Sequence, residues 1–70
     1  MDADHDVLAK VGRVTGRVAP GQVGEVVLPI RGGSEAFYAY AADEGAEYEP
    51  GTRVVIIEFE APRTVRVAPL

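Results

Sequence analysis

Short alternating runs of apolar and polar residues, punctuated by glycine and proline, recur along the whole chain, and their period of two predicts strands. The first run, residues 11–18, is ambiguous by spacing alone. Val11, Val14 and Val18 recur at helical intervals, but Gly12 and Gly16 interrupt them, and β-branched Val and Thr15 favour extended backbone. It reads as one long bent strand whose glycines permit the coil of a closed barrel. Pro20-Gly21 then turns the chain. In residues 23–30, Val26, Leu28 and Ile30 share one face while Glu25 and Val27 share the other. Pro29 has no N–H to give to a ladder, so this strand is expected to end at an edge or bulge.

Arg31-Gly32-Gly33-Ser34 predicts a tight hairpin loop. Residues 35–42 follow as a third strand, with Phe37, Ala39 and Ala41 on one side and Tyr38, Tyr40 and Ala42 on the other. Residues 43–51 are polar and end in Pro50-Gly51, which predicts a loop with at most one helical turn, anchored to the core by Tyr48. Residues 52–60 form the strongest strand, placing Val55, Ile57 and Phe59 on one face and Val54, Ile56 and Glu58 on the other. After a turn at Ala61-Pro62-Arg63, a short strand at 64–67 ends before Pro69. Five strands with no room for a crossover helix predict an antiparallel sheet. So small a sheet manages its edges most easily by curling into a barrel of OB or SH3 type.

Composition narrows the chemistry more than the fold. With 70 residues, the chain has a thin core, burying about 60% of the surface its unfolded form exposes. Cys is absent, so no disulfide can form, and with His5 as the only histidine and Ser34 as the only serine no catalytic triad is expected. An apolar content of 47% with 26% charged residues is ordinary for a globular protein. The net charge of −4 owes much to Asp2, Asp4 and Asp6; from Val7 onward eight acids face seven bases. Such a balance lacks the basic footprint that nucleic acid requires. The longest aliphatic stretch, Val54-Val55-Ile56-Ile57, falls far short of the ~20 residues of a bilayer span, and the start lacks the pattern of a signal peptide. The chain as given is therefore expected to be soluble.

Several groups invite a functional reading. Asp2, Asp4, His5 and Asp6 are metal-ligand types, but a terminal tail does not hold ligands in place. Residues 1–6 read better as a disordered, solvated leader or a cloning remnant. Asp43, Glu44, Glu47 and Glu49 follow neither an EF-hand pattern nor the burial that splits a carboxylate pair, and read as a solvated face or a partner-facing acidic patch. Phe37, Tyr38 and Tyr40 faintly resemble a base-stacking strand. Without a cationic groove, core packing for Phe37 and surface or interface roles for the tyrosines fit better. The arginines 13, 17, 31, 53, 63 and 66 read as surface residues, possible partners for Glu58 and Glu60. Gly12, Gly16, Gly21 and Gly24 are too widely spaced for a phosphate loop.

Taken together, the punctuation resembles one family. Val11-Gly12-Arg13-Val14-Thr15-Gly16, Ala19-Pro20-Gly21 and Val23-Gly24-Glu25-Val26 are similar to the opening of NfeD-like C-terminal domains. Gly32-Gly33-Ser34-Glu35-Ala36-Phe37-Tyr38-Ala39-Tyr40 resembles that family's glycine turn and aromatic-small alternation. Glu49-Pro50-Gly51-Thr52-Arg53-Val54-Val55-Ile56-Ile57-Glu58 and Thr64-Val65-Arg66-Val67-Ala68-Pro69 resemble its last two strands. The compact loop at 43–49, with Tyr48 in a usually aliphatic place, and the acid-rich leader depart from the pattern. The resemblance implies a five-stranded OB-fold barrel carried by a parent protein of the cell membrane, with transmembrane helices upstream and the barrel on the cytoplasmic side. It further implies a partner among stomatin, prohibitin and flotillin-type membrane scaffolds, and no catalytic motif.

The expectation is thus an all-β, five-stranded antiparallel OB-fold-like barrel over residues 7–70, acting as a protein-interaction module without cofactor, metal or chemistry of its own. A small barrel fills its interior with side chains and leaves no cleft of active-site size. The expected partner-binding surface is Arg31, Tyr38, Tyr40, Asp43, Glu44 and Glu47. The alternative is an OB-fold domain that binds single-stranded nucleic acid.

Overall fold

Valine and glycine in alternation give five strands: β1 (Val11–Gly16), β2 (Gly24–Ile30), β3 (Gly33–Ala41), β4 (Arg53–Glu60) and β5 (Thr64–Pro69). The computed structural model describes residues 7–30 and 32–70. The strands close into a barrel in the order β1-β2-β3-β5-β4, and β4 returns to β1. This is the expected OB-type barrel. Among the described residues no helix lies between the strands.

The antiparallel expectation holds for every neighbouring pair but one. β3 and β5 run parallel, with Tyr38 opposite Thr64 and Tyr40 opposite Arg66. Parallel neighbours need a long connection, for which a helix is usual. Here β4 and its flanking loops serve as that connection, so the lack of a crossover helix did not exclude a parallel pair.

Inward positions form one apolar core. Val14, Val26, Leu28, Ala39, Val54, Ile56, Val65 and Val67 are buried, as are Val7, Val18 and Phe37. Each such aliphatic side chain contributes about 1.5–3 kcal/mol when fully buried. None of the buried described residues is polar. β4 departs from strict alternation. Its inward residues are Val54 and Ile56, but the register against β5 shifts between Ile56 and Glu58. That bulge leaves Ile57 exposed and turns Phe59 toward the core, edge-on to Phe37 with ring centroids 6.3 Å apart. Phe59 therefore faces away from Val55 and Ile57, with which simple alternation grouped it.

The first strand is shorter than its valine pattern. β1 stops at Gly16 after a register shift between Val14 and Gly16, and Val18 pairs instead with Tyr48 in the loop between β3 and β4. Tyr48 packs half-buried against the core, so the loop has the expected anchor. Within the expected limit of one helical turn, the loop makes local hydrogen bonds from the Ala46 N–H to the Asp43 carbonyl and from the Thr52 N–H to the Glu49 carbonyl, both 3.1 Å. β5 extends through Pro69, which pairs with Val54 where the ladder ends.

Two glycines are fixed by close approach rather than by coil alone. A Cβ on Gly12 would collide with the Leu28 side chain inside the barrel. A Cβ on Gly24 would stand 2.6 Å from Val18 Cγ2, 2.8 Å from the Arg17 carbonyl oxygen and 2.9 Å from that of Gly16. Backbone oxygens cannot rotate out of the way. Gly24→Ala is therefore expected to destabilise the barrel by about 2–3 kcal/mol, as overpacking of a tight core does. Gly33→Ala, whose Cβ would stand 3.8 Å from the Ile30 carbonyl oxygen, serves as the near-neutral control. Urea denaturation of both variants checks the difference; equal midpoints would contradict it.

Candidate functional site

A filled interior leaves the outer wall as the place for recognition. Strand alternation in β3 sends Phe37 and Ala39 inward and Tyr38 and Tyr40 outward, 59% and 39% exposed. Parallel pairing with β5 sets Arg66 beside Tyr40, its guanidinium carbon 5.7 Å from the ring centroid. Antiparallel pairing with β4 sets Glu58 on the far side of Arg66. Arg66 Nε lies 3.8 Å from Glu58 Oε1 and 3.6 Å from Glu60 Oε2. Tyr40 thus stands beside a cation already matched by two carboxylates.

A shallow open groove of about 430 Å³ lies beside this row. Its walls are Tyr40, Ala41 and Arg66 from the strands, with Pro20 and Gly21 from the β1–β2 loop and Glu44 from the β3–β4 loop. The two loops are tied together near its rim. Arg17 Nη2 donates to Glu47 Oε1 at 2.6 Å and its Nε to Glu49 Oε2 at 2.8 Å, while Val18 and Tyr48 exchange backbone hydrogen bonds of 3.0 and 2.9 Å. The hydrogen bond that Arg17 donates to Glu49, then the charges of Glu49 and Glu47, raise the Arg17 pKa above its ordinary value. Arg17 stays fully charged at any physiological pH, so the clamp does not titrate through it.

The residues expected to bind a partner are thus dispersed in role. Tyr40 and Glu44 meet in the groove, and Tyr38 lies one outward step back along β3. Glu47 is engaged by Arg17, and Asp43 sits exposed at the loop turn. Arg31 lies outside the described residues, as do Asp2, Asp4, His5 and Asp6. Among the described residues no three His, Cys, Asp or Glu side chains approach closely enough to hold a metal ion.

Two arginines join the site unforeseen. Alternation already pointed Arg66 outward between Val65 and Val67, but only the parallel pairing places it on Tyr40. Arg63 donates from Nε and Nη2 to the Ala36 carbonyl, at 3.2 and 2.7 Å, and lies 5.1 Å from the Phe37 ring centroid. It continues the β3–β5 contact beyond the first paired residues, Tyr38 and Thr64. No local pattern marks that long-range contact.

The surface offers ring faces, two phenol hydroxyls and a groove, with its nearby cations internally matched. Such a combination buries against another macromolecular surface and supplies hydrogen bonds at its rim. The family model for the NfeD C-terminal domain matches residues 11–68. No curated protein matches the chain significantly. Among solved structures, the chain is similar to the soluble domain of a Corynebacterium glutamicum membrane protein implicated in regulation of membrane protease activity. The TM-score is 0.74 at 18% sequence identity, covering 93% of this chain and 94% of that one. At that identity the likeness speaks for the shared barrel.

Arg63→Ala removes both donors to Ala36 and the cation above Phe37. It is expected to cost about 1–2 kcal/mol and to speed amide exchange at Tyr38, whose N–H donates to the Arg63 carbonyl at 2.8 Å. Arg63→Lys should recover less than half of the loss, because an ammonium cannot fork onto the carbonyl as the guanidinium does. Denaturation midpoints and exchange rates indistinguishable from the parent would show that Arg63 is merely a surface residue.

Proposed function

Because the chain belongs to the NfeD C-terminal domain family, we propose that it is a non-catalytic docking module of a membrane protein, engaging a protein partner through the wall of Tyr38 and Tyr40. The observation that carries this reading is the pair of exposed tyrosines beside a groove whose arginine is already balanced by Glu58 and Glu60. Two large rings held out of a packed wall leave apolar area for a partner to cover, and tyrosine is a frequent hot spot when covered. The same balance of charge favours a protein over single-stranded nucleic acid, which would need free cations beside the rings.

The partner proposed from the family resemblance is a membrane scaffold of the stomatin, prohibitin or flotillin type, with the barrel on the cytoplasmic side. The description of the Corynebacterium glutamicum relative, implicated in regulation of membrane protease activity, is consistent with a module that acts by contact. Residues 7–70 are proposed as the unit that docks, with Glu44 and Asp43 at the rim of the contact.

The test is calorimetric titration of the chain with the soluble domain of a stomatin-type protein from the same organism. Tyr38→Ser and Tyr40→Ser are each expected to weaken binding about tenfold or more, at unchanged thermal stability. Absence of binding, or binding unaltered by both substitutions, overturns the reading. So does tight binding of labelled single strands that falls steeply with added salt.

A further inference from the structure

Arg13 is the residue at which β1 exchanges one partner strand for the other. It stands opposite Val27 on β2 and opposite Arg53 on β4. Two arginines directly across a strand pair have Cβ atoms about 4.5–5.5 Å apart, close enough that like charges repel. Both are exposed on the outer wall, alternating with inward Gly12, Val14 and Val54.

The other described arginines are all engaged. Arg17 has Glu47 and Glu49, Arg66 has Glu58, Glu60 and Tyr40, and Arg63 has the Ala36 carbonyl and Phe37. Among the described residues, neither Arg13 nor Arg53 makes a side-chain hydrogen bond or ion pair. Between them is a shallow groove of about 300 Å³, also lined by Val11, Gly12, Val27 and Pro29, with no carboxylate. Among the described residues this like-charged pair therefore has no carboxylate partner.

We propose that Arg13 and Arg53 form a binding site for a phosphate group, separate from the tyrosine wall. A guanidinium presents a rigid fork that binds two oxygens at once. One fork satisfies a carboxylate; two forks on adjacent strands match the several oxygens of a tetrahedral phosphate. Binding places negative charge between the two guanidinium groups. The flanking Val11 and Val27 add an apolar margin, so the phosphate of an acidic lipid headgroup and that of a soluble compound share the same recognition chemistry.

The experiment titrates the isotopically labelled 70-residue chain with inorganic phosphate, following backbone amide and arginine Nε resonances. A second arm measures sedimentation with phosphatidylglycerol vesicles against phosphatidylcholine vesicles. Saturable shifts centred on Arg13 and Arg53 are expected. Arg13→Gln or Arg53→Gln should weaken binding about tenfold or more, while Lys10→Gln, which removes an equal charge elsewhere, leaves it within about twofold. Phosphate binding without vesicle binding assigns the site to soluble phosphates; arginine-dependent sedimentation with phosphatidylglycerol assigns it to headgroups. Lack of saturable binding in both arms, or binding that both glutamine variants retain, overturns the proposal. Because both side chains lie outside the core, dispersed spectra of the variants show directly that the barrel has formed. Tyrosine-wall variants leave this binding in place, so failure here is distinguishable from failure of the docking reading.

Discussion

The barrel exists because β1 hydrogen-bonds along both edges. Residues 11–13 face β4, and residues 13–16 face β2. A strand shared between two neighbours in this way must bend, and the register shift between Val14 and Gly16 supplies part of that bend. Close approach does the rest. Gly24 sits against the backbone of Gly16 and Arg17, and Gly12 leaves space that Leu28 fills from inside. Side chains at either position would hold the strands apart. Without the β1–β4 seam, the same five strands would be an open curled sheet with two free edges.

Closure then dictates where recognition can occur. The interior is occupied by valines, Leu28, Ile56 and Phe37, leaving chemistry to side chains that alternate outward. On β3 these are Tyr38 and Tyr40, and the parallel pairing with β5 brings Arg66 alongside Tyr40. The loops are also tied to each other. The Arg17 clamp and the Val18–Tyr48 pair join the β1–β2 loop to the β3–β4 loop, so the groove beside Tyr40 has a defined rim. A preformed rim lowers the ordering cost of docking.

Much of this was legible from periodicity because alternation is a local signal. The inward sets Val26–Leu28–Ile30 and Phe37–Ala39–Ala41, and the outward tyrosines, follow directly from a period of two. Tyr48 was legible as the one large apolar side chain in a polar loop. The misread features are those set by distant partners. The bulge that turns Phe59 inward is a property of the β4–β5 ladder, and the parallel β3–β5 pair depends on β4 crossing between them. The early end of β1 reflects competition in which Tyr48 takes Val18 away from the strand. Arg66 and Arg63 were recognisable as outward or turn residues, but their contacts with Tyr40 and Ala36 exist only once that parallel pair forms.

Net charge is a poor guide to the surface for the same reason. From Val7 onward acids and bases nearly cancel, yet register sorts them into unlike regions. Glu58 and Glu60, two residues apart on one strand, bracket Arg66; Glu47 and Glu49, equally spaced in a loop, bracket Arg17. Each cluster carries one more carboxylate than guanidinium, so the region around the tyrosines leans acidic. The β1–β4 seam, where Arg13 meets Arg53, leans basic. Residues 7–70, near neutrality in sum, are therefore polarised around the barrel. Composition gives no excess of bases, but it cannot reveal that Arg13 and Arg53 meet. Strand register alone converts two scattered arginines into adjacent ones, and it does so at the residue where β1 passes from one neighbour to the other.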